Sequence, residues 1–175
     1  MSELVIRPFE EADTAAVIAL WEAAGLTRPW NDPARDIERK LAVAPELFLV
    51  GCAQGKLVAS AMGGYDGHRG WVNYLAVDAA WRGNGFAGQI MAHLESMLVK
   101  RGCAKLNLQV RAGNEEALAF YDAAGYARDD VAGARLRSPQ LRPLCRIDGH
   151  PLGRTLELCG VALGEEVSQR SQGAL

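Results

Sequence analysis

The sequence predicts an α+β domain of the three-layer α/β/α type, in which about four helices cover a mixed β-sheet. Three observations lead to this fold class. Strand and helix patterns alternate along the chain, glycine turns join neighbouring strand patterns, and one strand–helix–strand unit implies a parallel crossover. With 175 residues, 49% of them apolar, the chain can bury one core but is too short for two. We therefore expect one compact domain.

The first elements are one strand and two helices. Leu4–Arg7 has the pattern of a short strand, and apolar residues then recur at helical spacing until Gly25. Asp32 can cap the free N–H groups of a helix whose first position is Pro33, which favours proline. The apolar spacing extends this second helix to about residue 44.

The middle of the chain predicts three strands. Residues 47–50 and 56–62 flank Gln54-Gly55, a dipeptide typical of a hairpin turn, so these strands should be antiparallel neighbours. The polar, glycine-rich segment 63–70 predicts a loop. Residues 71–77 then form the next strand.

The last predicted elements alternate helix, strand and helix. An apolar stripe begins at Phe86 and ends before Gly102, which predicts an amphipathic helix. Residues 105–110 alternate apolar and polar side chains, as in a strand. Asn114 can cap a further helix, and Gly125 can end it.

Composition argues against several classes of function. A net charge of −2 gives no electrostatic signature of nucleic-acid binding. No apolar run approaches the roughly 20 residues of a membrane helix, and the N-terminus lacks the apolar core of a signal peptide. The four cysteines show no C-x-x-C spacing for a metal or redox site. We expect a cytoplasmic protein that binds no nucleic acid, membrane or metal.

The segment Arg82-Gly83-Asn84-Gly85 has the features of an anion site. It lies between a predicted strand and an amphipathic helix, whose first N–H groups and dipole attract a phosphate. Glycines let the backbone approach phosphate oxygens closely, and Arg82 can add a charge-assisted contact. A glycine turn before a helix is also a common structural feature, so the surrounding sequence has to decide.

That surrounding sequence resembles the GNAT superfamily of N-acetyltransferases over roughly Leu4 to Asp130. Leu75–Asp78, Trp81 and the loop Arg82–Ala87 look like the acetyl-CoA signature of these enzymes. A second motif of the family, N-x-x-A-x-x-F-Y-x-x-x-G-[FY], is matched at the expected distance. Its matching segments are Asn114–Ala117, Phe120-Tyr121 and Gly125-Tyr126.

The resemblance implies a GNAT fold, with core motifs at 71–126, and acetyl-CoA as the co-substrate. Two parallel strands, here 71–77 and 105–110, splay so that pantetheine inserts between them like an extra strand. The loop after the first of these strands then holds the pyrophosphate. The residues that the resemblance assigns to acetyl-CoA are Leu75, Ala76, Val77, Arg82, Gly83, Asn84, Gly85, Phe86, Ala87, Asn114, Ala117 and Tyr121.

The implied reaction is direct transfer of an acetyl group to a primary amine of a small molecule or of a protein N-terminus. In the family, the tyrosine at the position of Tyr121 protonates the departing thiolate, which suits a phenol whose pKa is about 10. Simple packing beneath the helix is the structural alternative for Tyr121. Asn114 is explained both as a helix cap and as a cofactor contact, and the two roles are compatible.

A general base is harder to assign. Many relatives have a glutamate on the strand before the asparagine motif, but this chain has Gln109 there, and an amide is no base. Asp66 and His68 in the glycine-rich loop are candidates for catalysis, and a water relay is equally compatible. Each also has an ordinary structural explanation, Asp66 as a turn former and His68 as a solvated loop residue.

Two segments resemble a poorly characterised bacterial subgroup of the family: RPWNDP at residues 28–33 and GGYDGHRG at 63–70. Their positions imply an acceptor site. Trp30 and Tyr65 are candidate walls of this site, and Asp32 and Asp66 are candidate partners of an amine. Capping by Asp32 and packing by Trp30 are the structural alternatives.

The resemblance fades after Asp130, which implies a GNAT domain at residues 1–130 and an atypical C-terminal segment at 131–175. Residues 141–147 predict an edge strand that completes the sheet, since prolines at 139 and 143 exclude a central position. We expect residues 169–175 to be disordered. A non-catalytic acyl-CoA-binding module, motivated by Gln109, and a scaffold that uses this tail remain alternative functions, and a homodimer is left open.

Overall fold

Five strands form the central sheet, and their order across the sheet is the order along the chain. The computed structural model describes residues 3–111 and 113–128, and the backbone of 146–147 and 150–151. Neighbouring strands are antiparallel except for the fourth and fifth, which are parallel. The strands are β1 (Val5–Pro8), β2 (Phe48–Ala53), β3 (Lys56–Tyr65), β4 (Gly70–Val77) and β5 (Leu106–Leu108).

Helices cover both faces of this sheet, which confirms the predicted α+β fold class. In the described residues they are α1 (Thr14–Ala23), α2 (Pro33–Leu41), α3 (Phe86–Val99) and α4 (Glu115–Ala123). Apolar residues of α1 and α2 pack in one buried cluster with Phe48 and Met62 of the sheet. Those of α3 and α4 pack in a second cluster with Leu49 and Val72. Each sheet face therefore has its own helical layer.

The chain divides into two compact units, Met1–Ala127 and Arg128–Leu175. In the second unit, β6 (Arg146–Ile147) pairs antiparallel with β7 (His150–Pro151). The predicted disordered end at 169–175 and most of the predicted edge strand at 141–147 lie outside the described residues.

Capping and proline geometry determine the limits of α2. The Asp32 carboxylate accepts hydrogen bonds from the backbone N–H groups of Ala34 at 3.0 Å and Arg35 at 3.3 Å. The helix ends at Leu41, before the predicted end at residue 44. Ala44 has a φ of 50° and precedes Pro45, and a residue before proline is disfavoured in the helical region.

The β3 strand is longer than predicted because two glycines continue it. Gly63 and Gly64 pair with Val72 and Trp71 of β4, whereas their composition had predicted a loop. A Cβ on Gly63 would lie 2.5 Å from Leu94 Cδ1 of α3, so glycine at this position lets the helix approach the sheet. The short turn before this strand, Gln54-Gly55, forms as predicted, with φ angles of 50° and 74°.

The β4 and β5 strands pair over only three positions. Gly70–Val72 lie beside Leu106–Leu108, and β5 is shorter than the predicted 105–110. The remainder of β4, from Asn73 to Val77, has no pairing with β5. Among the residues that the structure describes, no strand pairs with the backbone groups on this side of β4.

Replacement of Gly63 by alanine should destabilise the domain by about 1–3 kcal/mol, since the new methyl group must displace Leu94. Urea denaturation measures the change in the free energy of unfolding. Gly64→Ala is the matched control, because nothing lies within 4 Å of a Cβ there, and it should change stability by less than about 0.5 kcal/mol. Equal effects of the two substitutions would contradict the close approach of α3.

Candidate functional site

A cavity of about 370 Å³ lies where β4 parts from β5. Its wall includes eleven of the twelve residues that the sequence assigned to a cofactor; Asn84 does not line it. Ala24 and Leu26, from the end of α1 and the loop after it, also line the cavity and were not predicted. The predicted wall residues are Leu75, Ala76, Val77, Arg82, Gly83, Gly85, Phe86, Ala87, Asn114, Ala117 and Tyr121.

The glycine loop presents backbone donors at one end of this cavity. Gly83 and Gly85 have φ angles of 78° and 76°, a region that other residues avoid. Gly85 is the N-cap of α3 and offers no side chain to its first turn, so these N–H groups are available to a ligand. Asn84 stabilises the loop instead of lining the cavity, because its Nδ2 donates to the carbonyl groups of Trp81 and Arg82 at 3.0 and 3.3 Å.

Arg82 places a positive charge beside the loop. Its Nη1 lies 3.1 and 3.2 Å from the two carboxylate oxygens of Glu116 on α4. Both side chains are largely exposed, so the pair contributes little to stability. The Arg82 guanidinium could therefore form a charge-assisted hydrogen bond with an anion at the glycine loop with little loss of stability.

Tyr121 reaches the cavity from α4. Its ring makes edge-on contacts with Phe120 and Tyr126, at centroid distances of 5.0 and 5.5 Å. No hydrogen bond at its hydroxyl group is seen within the described part of the chain. Burial raises the pKa of Tyr121 to about 12, so the phenol stays protonated at neutral pH.

Asn114 caps a helix and also lines the cavity. Its side-chain oxygen accepts a hydrogen bond from the backbone N–H of Ala117 at 3.2 Å, which caps α4. The same residue lines the cavity. The cap keeps Asn114 at the cavity wall.

Tyr65, the last residue of β3, and Asp66 and His68 in the loop after it do not line this cavity. The loop leads to Gly70, at the end of β4 that pairs with β5. Five residues of strand separate Gly70 from the first cavity residue, Leu75, or about 16 Å at the usual rise. The structure does not bring these three residues together with Tyr121.

Their contacts are local. The Asp66 carboxylate accepts hydrogen bonds from the backbone N–H groups of His68 at 2.8 Å and Arg69 at 2.6 Å, and these bonds lower its pKa. The Trp71 side chain hydrogen-bonds to the same carboxylate. The Tyr65 hydroxyl donates to backbone carbonyls of its own loop and of Gly102. The structure thus supports the turn-forming role of Asp66.

Trp30 and Asp32 lie beyond the cavity wall, in the α1–α2 loop. Asp32 caps α2, as described above, and Trp30 is 58% exposed. Sequence reasoning missed a neighbouring feature, Tyr74 on β4, whose φ is 51°. Its hydroxyl group donates a 2.6 Å hydrogen bond to Asp36 of α2. No pattern in the sequence pointed to this pair, because the strand irregularity that orients Tyr74 depends on β3.

Within the described residues, no group of three or more His, Cys, Asp and Glu side chains is arranged to hold a metal ion. Among their helices, none is long and apolar enough to cross a membrane.

The site fits an elongated ligand that carries a diphosphate. The glycine loop and Arg82 offer donors and charge at one end, and the unpaired edge of β4 offers backbone groups to a chain that extends from it. A model of the acetyltransferase (GNAT) family matches residues 15–126 of this chain.

Curated relatives and solved structures are similar to most of the chain. An acetyltransferase of Yersinia enterocolitica is 50% identical over 133 residues, which is 75% of this chain and 94% of the relative. An acetyltransferase of Sodalis glossinidius is 47% identical over 138 residues, or 77% of this chain and 97% of the relative. The crystal structure of Ard1 from Thermoplasma volcanium is similar with a TM-score of 0.63 and 27% identity, and covers 71% of this chain and 82% of that one.

Substitution of Asn114 tests its role as the cap of α4. Asn114→Ala removes the cap and should destabilise the domain by about 1 kcal/mol, whereas Asn114→Asp keeps an acceptor oxygen and should leave stability nearly unchanged. Thermal and urea unfolding measure the stability of both variants. If alanine and aspartate were equally stable, the hydrogen bond to Ala117 would not be what holds the start of α4.

Proposed function

Because this chain belongs to the GNAT family of acetyltransferases, we propose that it transfers acetyl directly to a primary amine of a small molecule or of a protein N-terminus. The chain is an acetyl-CoA-dependent acyltransferase. The observation that carries the proposal is that one cavity is lined both by the glycine loop and by Tyr121.

The glycine loop and β4 are the proposed binding elements for acetyl-CoA. The first-turn N–H groups of α3 and the Arg82 guanidinium bind its pyrophosphate. The backbone of Leu75 and Val77, which has no β5 partner, hydrogen-bonds to pantetheine as a neighbouring strand would. These assignments are supported by the lining of the cavity and by the left-handed glycines.

Tyr121 is the proposed general acid. Its phenol is protonated at neutral pH, since burial raises its pKa to about 12. It donates a hydrogen bond to the departing sulfur and passes its proton to the thiolate, while the reacting nitrogen loses its own proton. Since the enzyme class is established, Gln109 raises the question of which group accepts the amine proton and does not argue for a non-catalytic binding module.

Bulk and negative charge in the glycine loop should abolish acetyl-CoA binding. In a Gly83→Glu, Gly85→Glu double variant, two carboxylates occupy the phosphate site and repel the ligand. Isothermal titration calorimetry with acetyl-CoA should show a loss of at least about 100-fold in affinity, as expected when like charges meet in a binding site.

The matched control is a Gly55→Glu, Gly102→Glu double variant. Both glycines also have positive φ and nothing within 4 Å of a Cβ, so strain and added charge are the same, but neither lines the cavity. The control should bind like wild type. A similar loss in both variants would contradict the proposed phosphate site.

Tyr121→Phe should lower kcat by roughly 100-fold or more, the usual contribution of a positioned general acid, and leave the Kd for acetyl-CoA nearly unchanged. The assay follows release of free thiol with the best acceptor from a panel of amines. Because the pKa of Tyr121 is raised, its proton remains in place well above pH 10, and the wild-type rate should show no alkaline loss from this group below that pH.

Tyr126→Phe is the control for ring packing. Tyr126 contacts Tyr121 edge-on, and its hydroxyl group hydrogen-bonds to Glu95 on α3. This variant should keep kcat within a few-fold of wild type. Equal kcat values for Tyr121→Phe and wild type would remove Tyr121 from the reaction.

A further inference from the structure

Tyr74 has a strained backbone next to the cavity. The β3–β4 register changes between Ser60 and Met62, so that Tyr74 and Leu75 together lie opposite a single residue, Ala61. This is a β-bulge, and Tyr74 within it has a φ of 51°. Such strain persists where surrounding contacts over-determine the conformation, and it is frequent at active sites.

Contacts from α1 and β3 hold the Tyr74 ring and backbone. Its ring stacks on Trp21 at 3.9 Å between centroids. The Trp21 Nε1 donates to Ser60 Oγ at 2.9 Å, and Ser60 Oγ donates to the Tyr74 carbonyl at 3.1 Å. Ser60 is fully buried, so this chain of bonds is protected from water.

The Tyr74 hydroxyl group is directed to α2. It donates a hydrogen bond to Asp36 Oδ2 at 2.6 Å, and the Asn31 side chain hydrogen-bonds to the same hydroxyl. Burial, followed by the bond to Asp36, raises the pKa of Tyr74 to about 12. The hydroxyl group therefore keeps its proton at neutral pH and can pass a proton on without ionising.

Tyr74 adjoins the cavity wall, since the next residue in the chain, Leu75, lines the cavity. Three residues of the cavity wall, Ala24, Leu26 and Ala76, pack in the apolar cluster that contains Tyr74. Tyr121 reaches the same cavity from the α3–α4 layer. Tyr74 and Tyr121 therefore belong to the two helical layers that both contribute residues to the cavity wall.

We propose that Asp36 is the proton acceptor for the substrate amine and that the Tyr74 hydroxyl group carries the proton to it. This inference rests on the proposed transfer to a primary amine. It fills the role that Gln109 cannot perform, whereas the Asp66 carboxylate is held by backbone N–H groups of its own turn.

The substrate ammonium gives a proton to the Tyr74 oxygen as the Tyr74 O–H proton moves to Asp36 Oδ2, and the nitrogen lone pair then forms the C–N bond while the C–S bond breaks. Asp36 releases its proton to solvent, since its side chain is 22% exposed. The nitrogen loses a second proton when the amide forms. This proton goes to Tyr121, which has given its own proton to the thiolate.

The groups that face Asp36 and Tyr74 are few in the described structure. Arg39 on α2 contacts the other Asp36 oxygen at 3.0 Å and is the charged neighbour. α1 contributes Trp21, β3 contributes Ser60 and the α1–α2 loop contributes Asn31, none of which ionises.

Asp36→Asn tests the proposal because it keeps an oxygen that can accept the Tyr74 hydrogen bond but removes the base. With the best amine from the acceptor panel, we expect kcat/KM to fall about 100-fold at pH 7. The deficit should shrink towards a few-fold at about pH 10, where a primary amine loses its proton without help. Tyr74→Phe should show the same loss, and the double variant should be no worse than either single variant.

Glu38→Gln, an exposed carboxylate-to-amide change on the same helix, is the matched control and should behave like wild type. All variants should bind acetyl-CoA with the wild-type Kd in calorimetry. A wild-type rate in Asp36→Asn at pH 7, or a deficit that is the same at every pH, would overturn the relay. Tyr121→Phe in the same assay tests the proposed function separately, since its loss does not depend on Asp36.

Discussion

The parting of β4 from β5 after Val72 is the constraint on which the site depends. Buried backbone N–H and C=O groups need partners, and a strand that loses its neighbour must find them elsewhere. Here β5 pairs with only three residues of β4, and the bulge in the β3–β4 pairing at Tyr74 lies two residues beyond Val72. The opened edge of β4 therefore becomes a binding surface, and the N-terminus of α3 follows at its end.

This opening connects the two helical layers, which are otherwise separated by the sheet. Side chains of β4 alternate beyond the bulge, so Ala76 packs with α1 and Leu75 packs with the α3–α4 layer, yet both line the cavity. A reaction that needs an acid for the leaving group and an acceptor for the amine proton can draw each from a different layer. Tyr121 and the Tyr74–Asp36 pair have this arrangement.

Local signals in the sequence predicted much of the framework, and long-range contacts account for what they missed. Caps such as Asp32 and Asn114 and the Gln54-Gly55 turn depend on residues within three positions, so pattern alone identifies them. Gly63 looked like a loop residue because its reason, the approach of Leu94, lies thirty-one positions away in the chain. The glycine loop was predicted through its motif, whereas Tyr74 was missed because a bulge alters the alternation that sequence reasoning assumes.

Residue type alone does not identify a base, as three aspartates show. Asp32 and Asp66 lie in the segments 28–33 and 63–70, and Asp36 lies in α2. Asp32 and Asp66 both accept hydrogen bonds from backbone N–H groups, and in Asp66 these bonds lower the pKa. A carboxylate stabilised in this way is a weaker proton acceptor and cannot leave its position without loss of a cap or turn. Asp36 instead contacts two side chains, the hydroxyl group of Tyr74 and the guanidinium of Arg39. Its carboxylate therefore meets side chains of the fold, whereas those of Asp32 and Asp66 hold a helix cap and a turn.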